Sequence, residues 1–435
     1  MKVAERVRKN IFWFIDSIRG GKIRRHYNEV KYITEHFDQE FSKEKREEYL
    51  RKLLIHAANT TEFYGGMAVA DILNFPIINK DTIRSFPQKF KSVKYFNKRK
   101  VSVSTSGSTG ASFTVYQDLN KKYRNIADVI YFSEIIGFHV GYRLFYLRFW
   151  NMFKKKNKIQ SLLQNIVPID VFDLSPKSIK DLISRLSKDT SNKGMLGYAS
   201  SYNKICTYLD SINSDVINCN LKSAVGISER LNKPTKVAMK KYFNVDMVSR
   251  YSNAENGLIA QQPQGEDFFE INEASYYVEI LSLENDKRLQ PGELGRIVIT
   301  DLFNYNMPII RYDTGDIGIM DFITVNNKTK LVFTRVEGRK MDMIRNTSGE
   351  ILSTSILLII NKYKEIKQRQ IIQQTKNEYL FKLKIESNTF DKQDEFIEEF
   401  RGYLGDDAII RLEFVKEIPL LASGKHRAIV NKVKI

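Results

Sequence analysis

From Lys100 to about residue 300 the chain alternates between two hydrophobic periods, and this alternation constrains its fold more than any other feature. Short β-branched or aromatic runs at 101–105, 144–149, 224–227, 245–251, 276–283 and 296–300 read as strands. Between them, apolar residues spaced three and four apart mark helices over 121–136, 178–186, 201–209 and 233–242. Strands that alternate with helices can bury both faces of one sheet, so the expected class is α/β. Residues 1 to about 95 read as mostly helical, with apolar positions around Tyr49, Leu53, Leu54 and Ala57. Beyond Gly338 the texture changes: a helix at 354–363, strands at 368–374 and 379–385, a helix at 392–403 and a strand at 409–415 form a small α+β unit. The expected division is a large domain over 1–338 and a small one over 339–435.

The 435 residues include 69 Lys and Arg against 51 Asp and Glu, a net charge of +18. Such a surplus favours anionic company: nucleotide phosphates, acidic lipid or nucleic acid. No RNP, zinc-finger or other nucleic-acid signature accompanies it, so no specific nucleic-acid partner is expected. The two cysteines, Cys206 and Cys219, cannot build a disulfide framework, and the five histidines lack zinc-ligand spacing. No apolar run approaches the roughly 18 residues of a spanning helix, and the expected location is the cytoplasm. Near the N-terminus Val3, Val7, Ile11, Phe14 and Ile18 recur at helical spacing, flanked by Arg6, Lys9, Arg19, Lys22, Arg24 and Arg25. Such a helix either packs its stripe on its own core, the commoner arrangement, or lies peripherally on the inner face of a membrane.

Four motifs can carry chemistry. Ser104-Thr105-Ser106-Gly107-Ser108-Thr109-Gly110 follows a strand, and its glycines let backbone N–H groups turn inward while hydroxyls add donors, a cradle for phosphate oxygens or a plain surface loop. Its spacing is not that of a Walker A loop. Tyr251-Ser252-Asn253-Ala254-Glu255 ends another strand, where a ring offers a stacking face and a carboxylate a Mg²⁺ ligand, or where a core tyrosine is followed by a surface glutamate. Arg311-Tyr312-Asp313-Thr314-Gly315-Asp316 and Gly338-Arg339-Lys340-Met341-Asp342 are either β-turns with surface charges or offer a carboxylate after a glycine turn, able to accept two ribose hydroxyls, and a guanidinium for ribose or phosphate. Ser423-Gly424-Lys425 places a lysine on a turn, either as a point charge that a small domain can carry or as a solvated hairpin tip.

In this order the motifs resemble the adenylate-forming acyl ligase superfamily, and within it the phenylacetate-CoA ligase-like and CapK-like branch. The resemblance spans nearly the whole chain. It includes Leu54-Ile55-His56-Ala57-Ala58, Phe63-Tyr64, Phe75-Pro76-Ile77-Ile78-Asn79-Lys80, and the longer stretches 269–281 and 291–316. It implies a multi-sheet N-terminal adenylation domain and a small mobile α+β C-terminal domain. Together these would convert a small carboxylic acid and ATP·Mg²⁺ to acyl-adenylate and pyrophosphate. Carried over, Thr105 and Ser106 to Gly110 would hold the β- and γ-phosphates, Tyr251 would lie against adenine and Glu255 would ligate Mg²⁺. Asp316 would bind the ribose with Arg339 nearby, and Lys425 would bridge the acid and the α-phosphate. The acid would lie near Tyr198, Ala199, Ser200 and Gly226, and Met341 would be the hinge.

The pattern also departs from the family. The phosphate loop continues Gly110-Ala111-Ser112 where much of the superfamily has Lys-Pro, leaving Lys121 or Lys122 as the nearest compensating cation. Met341 stands where Asp or Lys is common at the hinge. The segment 345–350 does not follow the loop lining the thiol path in CoA ligases. The acyl acceptor is therefore expected to be an amine or hydroxyl on a sugar or carrier in surface-polysaccharide synthesis, with CoA as the alternative. A non-catalytic member binding membrane or nucleic acid through its basic face is the remaining reading.

Overall fold

The computed structural model describes residues 1–105, 113–148, 150, 164–171, 174–325, 328–339, 344–352, 356–385, 389–419 and 428–433. Two compact units emerge: one comprises residues 1–105, 112–314 and 318–336, the other 106–111, 315–317 and 337–435.

The first unit opens with three helices, α1 (Val3–Ile18), α2 (Lys22–Glu35) and α3 (Glu40–Thr60), followed by the short α4 (Lys80–Ser85). Strands β1 (Lys100–Thr105) and β2 (Phe113–Asp118) pair antiparallel, and α5 (Leu119–Glu134) follows, capped by Asp118 accepting from the Lys121 N–H. Next come β3 (Arg143–Arg148), β4 (Ile166–Asp170), α6 (Pro176–Lys188), β5 (Lys193–Tyr198), α7 (Ala199–Ser211), β6 (Leu221–Ile227), α8 (Lys233–Phe243) and β7 (Met247–Asn253). The remaining strands of this run are β8 (Gly257–Gln261), β9 (Phe269–Ile271), β10 (Tyr276–Leu281), β11 (Leu294–Asp301), β12 (Tyr312–Val325) and β13 (Lys328–Arg339).

Among the described residues one sheet holds eleven strands in the order β10-β11-β12-β13-β9-β8-β7-β6-β5-β3-β4. From β4 to β7 neighbouring strands are parallel, and β8 and β9 continue the sheet antiparallel. Phe145, Leu147, Met195 and Met247 face one side, packed on Leu182, Tyr202 and Met239 of α6, α7 and α8. Leu196, Val225, Ile227 and Val248 face the other, against Ile136 just beyond α5. Burial on both faces is why these strands read as near-continuous apolar runs. Strand β5 was not anticipated, because Gly194 and Gly197 weaken its pattern. A Cβ at Gly194 would collide with the Phe138 ring, so a glycine is the residue that fits.

The N-terminal region packs through Leu54, Ala57, Tyr64, Phe75, Ile78 and Phe90 against Met307, Ile309, Ile310 and Tyr312. Phe63 and Phe90 stack with centroids 4.1 Å apart, a pairing worth about 0.5–1.5 kcal/mol beyond area burial. Helix α1 departs from the commoner arrangement: its stripe does not pack on the core. Val3, Phe14 and Ile18 are 79%, 65% and 70% exposed, whereas Glu5, Trp13 and Asp16 are buried.

The second unit contains the hairpin β14 (Ile344–Arg345) and β15 (Ile351–Leu352), a short helix α9 (Ile356–Ile359) and a four-stranded sheet. The sheet comprises β16 (Ile366–Gln373), β17 (Glu378–Ile385), β18 (Ile409–Phe414) and β19 (Ile429–Asn431), in the order β18-β17-β16-β19. Helix α10 (Gln393–Leu404) buries Phe396, Phe400 and Leu404 on Phe381, Leu383 and Ile371, and joins the parallel pair β17 and β18.

Candidate active site

Glu255 lies in the turn between β7 and β8 and is 1% exposed. A buried carboxylate needs partners, and segments distant in sequence supply them. The Tyr312 hydroxyl donates to Glu255 Oε1 at 2.6 Å, and Lys80 Nζ stands 3.3 Å from the same oxygen. Gln117 of β2, itself buried, donates to the Glu255 carbonyl at 3.0 Å. Both side-chain contacts fall on Oε1. Mg²⁺ keeps waters and substrate phosphates and takes only one or two carboxylates, so a single buried carboxylate such as Glu255 fits it. No cluster of three or more His, Cys, Asp or Glu that could hold a metal alone occurs among the described residues.

The backbone brings these groups together. Ile78 forms a parallel bridge with Tyr312: its N–H donates to the Arg311 carbonyl at 3.1 Å, and the Asp313 N–H donates back at 2.7 Å. That bridge sets Lys80, two residues on, beside Glu255. Arg311 holds a left-handed φ of 48°, a strained conformation for a non-glycine residue. Its guanidinium meets both Glu279 oxygens at 3.2 Å and the Phe75 carbonyl at 3.1 Å. Arg311 is thus a structural strut, and Tyr312 delivers the hydroxyl. Tyr251, near the end of β7, packs edge-on to Phe333 with centroids 6.1 Å apart, and its hydroxyl donates to Thr314 Oγ1 at 3.3 Å. Asp316 follows Gly315, whose φ is 77°, within β12.

The four residues named for the acid lie at the carboxyl ends of β5 and β6, where ligands of open parallel sheets bind. Tyr198 pairs in register with Ile227, and Ile227 with Arg250; Gly197 pairs with Leu147, the residue before Arg148. Arg148, Tyr198, Ile227 and Arg250 therefore form one row across about 14 Å, at about 4.8 Å per strand. Burial pushes the Tyr198 hydroxyl upward, while the Arg148 guanidinium beside it pulls the other way. Ser200 donates its N–H to Glu229 Oε2 at 2.8 Å, Ala199 opens α7, and Gly226 faces Met247 and Leu231. Arg250 is 8% exposed and, among the described residues, hydrogen-bonds neutral groups, Gln261 Oε1 at 2.7 Å and Ser133 Oγ at 3.2 Å. Burial pulls its pKa down to about 10, and among the described residues no carboxylate pairs with it.

Some sequence expectations change here. Lys121 cannot replace a phosphate-loop cation, because it is fully buried, 2.8 Å from Asp301 and 3.1 Å from the Tyr276 hydroxyl. Thr105 is described only as the last residue of β1; Ser106 to Gly110, Met341 and Lys425 lie outside the described residues, as does the Arg339 side chain at the end of β13. Residues 106–112 link the paired ends of β1 and β2, where Ser104 and Thr114 hydroxyls meet at 2.9 Å. Sequence reasoning assigned no role to Lys80, Gln117, Tyr312, Arg148 or Arg250. Lys80 and Tyr312 do fall in the segments 75–80 and 291–316, which carried the resemblance.

Residues 343–432 match the CapK C-terminal domain family. No curated protein matches the chain. Among solved structures, 2-hydroxyisobutyryl-CoA ligase in the postadenylation state is similar at a TM-score of 0.66 and 15% identity, with 88% of each chain covered. The anthranilate CoA ligase AuaEII in complex with anthranoyl-AMP is similar at 0.54 and 17%, with 80% of this chain and 70% of that one covered. ATP-bound MatB from Rhodopseudomonas palustris is similar at 0.54 and 15%, with 74% and 65% covered. The chain therefore has the fold of these ligases, and its segment 343–432 is similar to the CapK C-terminal domain.

Proposed function

We propose that this protein activates a small carboxylic acid with ATP, giving an acyl-adenylate and pyrophosphate. The observation that supports it is the convergence on Glu255 of Lys80, Gln117 and Tyr312, with Tyr251 in the same stretch of chain, in a fold whose solved relatives hold acyl adenylates or ATP. A carboxylate oxygen of the acid attacks the α-phosphorus, the bond to the bridging oxygen of the β-phosphate breaks, and pyrophosphate leaves with that electron pair. Two anions must approach each other, so the protein's task is to supply positive charge, N–H donors and positioning rather than a general base. We assign adenine to Tyr251, the ribose hydroxyls to Asp316 with Arg339 nearby, the β- and γ-phosphates to residues 105–110, and the α-phosphate and acid to Lys425. Met341 is assigned as the hinge. Mg²⁺, held by Glu255 and the nucleotide, would screen the charge of the departing pyrophosphate.

The acid pocket is assigned to the row formed by Arg148, Tyr198, Ile227 and Arg250, with Ala199, Ser200 and Gly226 at its edge. A buried guanidinium bonded, among the described residues, to neutral groups favours an acid whose far end carries a second negative charge. The acyl group then passes to an amine or hydroxyl on a sugar or carrier in surface-polysaccharide synthesis. The second reading is transfer to CoA, which the CoA-ligase neighbours favour. ATP–pyrophosphate exchange over a panel of mono- and dicarboxylic acids tests the first half-reaction. Lys425→Ala is expected to lower exchange by on the order of 10²–10³-fold while ATP binding persists. Undiminished exchange in that variant removes the lysine from the mechanism, and thioester formation with CoA decides for the second reading.

A further inference from the structure

Helix α1 is built the wrong way round for a helix that serves only its own core. Projected at 100° per residue, Val3, Phe14, Val7, Ile18, Ile11, Ala4 and Ile15 occupy one continuous arc of about 120°. This arc faces solvent: besides the three residues already described, Val7, Ile11 and Ile15 are all exposed. The polar side makes the attachment. Glu5 accepts from Asn192 N at 2.7 Å and Asn192 Nδ2 at 2.8 Å. Asp16 accepts from Ile23 and Arg24 N–H at 3.0 and 2.9 Å, capping the start of α2 from a distance. The α1 backbone at Glu5 runs so close to Gly141 that a Cβ there would collide with the Glu5 carbonyl. These specific attachments hold α1 with its apolar arc outward.

Exposing several large aliphatic side chains and a phenylalanine in one stripe costs the isolated protein solubility, and such patches mark interaction sites. The surroundings identify the occupant. Arg6, Arg19, Lys22 and Arg25 are exposed around the stripe, and an open groove between α1 and α2 is lined by Asn10, Ile11, Trp13, Phe14 and Arg24. The Arg24 guanidinium lies 4.2 Å over the Trp13 ring at that groove. A second copy of this chain would set two cationic rims face to face. An anionic lipid surface satisfies both the apolar stripe and its rim. The helix has 16 residues and carries charges, and no described helix is long and apolar enough to cross a membrane.

We infer that α1 is a docking surface for an anionic lipid bilayer, on which it lies in the plane of the headgroups with Val3, Val7, Ile11, Phe14 and Ile18 inserted. The test is flotation with vesicles of phosphatidylcholine alone or with roughly one third phosphatidylglycerol, at low and high salt. The wild type is expected to float with the anionic vesicles and to be released by salt. The double variant Phe14→Ser, Ile18→Ser should bind more weakly by on the order of tenfold for each side chain, with an unchanged Tm because both residues are already in solvent. Arg19→Glu with Lys22→Glu should abolish the preference for the anionic lipid. Equal flotation of wild type and the serine variant overturns the inference, as does the absence of flotation in every condition. A fall in Tm of the serine variant would show the stripe to be internal packing. A wild-type dimer in sedimentation velocity that the same substitutions dissolve would assign the stripe to a second copy. Either result also overturns it.

Discussion

Replacing Tyr312 by phenylalanine removes one oxygen from the buried cluster around Glu255 and keeps the ring. Tyr312 is fully buried and belongs to the core formed with Tyr64, Phe75, Ile78 and Ile310, so the packing survives the change. What is lost is the 2.6 Å hydrogen bond to Glu255 Oε1. A hydrogen bond to a charged group contributes about 1.5–3 kcal/mol, and Lys80, 3.3 Å from the same oxygen, compensates only in part because its side chain is itself 31% exposed. If the bond orients the carboxylate as the reaction requires, the same energy appears as a fall in rate of about 10–150-fold. Two assays read the two halves: urea unfolding for stability, and ATP–pyrophosphate exchange at limiting and saturating Mg²⁺. The loss of exchange should be larger at limiting Mg²⁺. In a Glu255→Gln background the further cost of Tyr312→Phe should shrink, which makes the double-mutant cycle the direct measure of coupling. A Tyr312→Phe protein within about 0.5 kcal/mol of wild-type stability, with exchange unchanged at limiting Mg²⁺, would refute the role given to this hydroxyl.

Arg250→Gln should erase a preference for dicarboxylic over matched monocarboxylic acids, seen as a rise in KM for the diacid of on the order of tenfold or more with the monoacid little affected; equal KM changes for both acids would make Arg250 a purely structural residue. Cys206 is 3% exposed, and burial pushes its thiol up to about 12; burial also raises Cys219. Neither should be alkylated by iodoacetamide near pH 8 in the folded protein, and both should react in urea, as read by mass spectrometry.

Much of the fold was legible in the sequence because the two hydrophobic periods report directly on local structure. The helix expected at 233–242 is Lys233–Phe243, and the strands expected at 368–374 and 379–385 are Ile366–Gln373 and Glu378–Ile385. The helix expected at 354–363 is, among the described residues, a single turn over Ile356–Ile359 followed by a 3₁₀ turn over Ile360–Lys362. The strands Gly257–Gln261 and Tyr312–Val325 were missed: the first is brief, and the second contains the Thr-Gly-Asp that reads as a turn. Glu255 could be singled out as a candidate, but its partners could not. Lys80, Gln117 and Tyr312 come from separate segments, and only the bridge of Ile78 to Tyr312 and the pairing of β1 with β2 set those segments beside the turn after β7.

The sequence by itself determined that α1 is amphipathic, that the central residues form an α/β sheet, and which short motifs deserve chemical scrutiny, since each depends on residues adjacent along the chain. The tertiary structure alone decided which side of α1 meets the protein. Periodicity records that one face is apolar, while the anchoring of Glu5 on Asn192 and of Asp16 on the start of α2 turns that face outward. It alone decided that Lys121 and Arg311 are buried struts while Arg250 has no carboxylate among the described residues, because a charge reveals its role only through the groups that surround it in space.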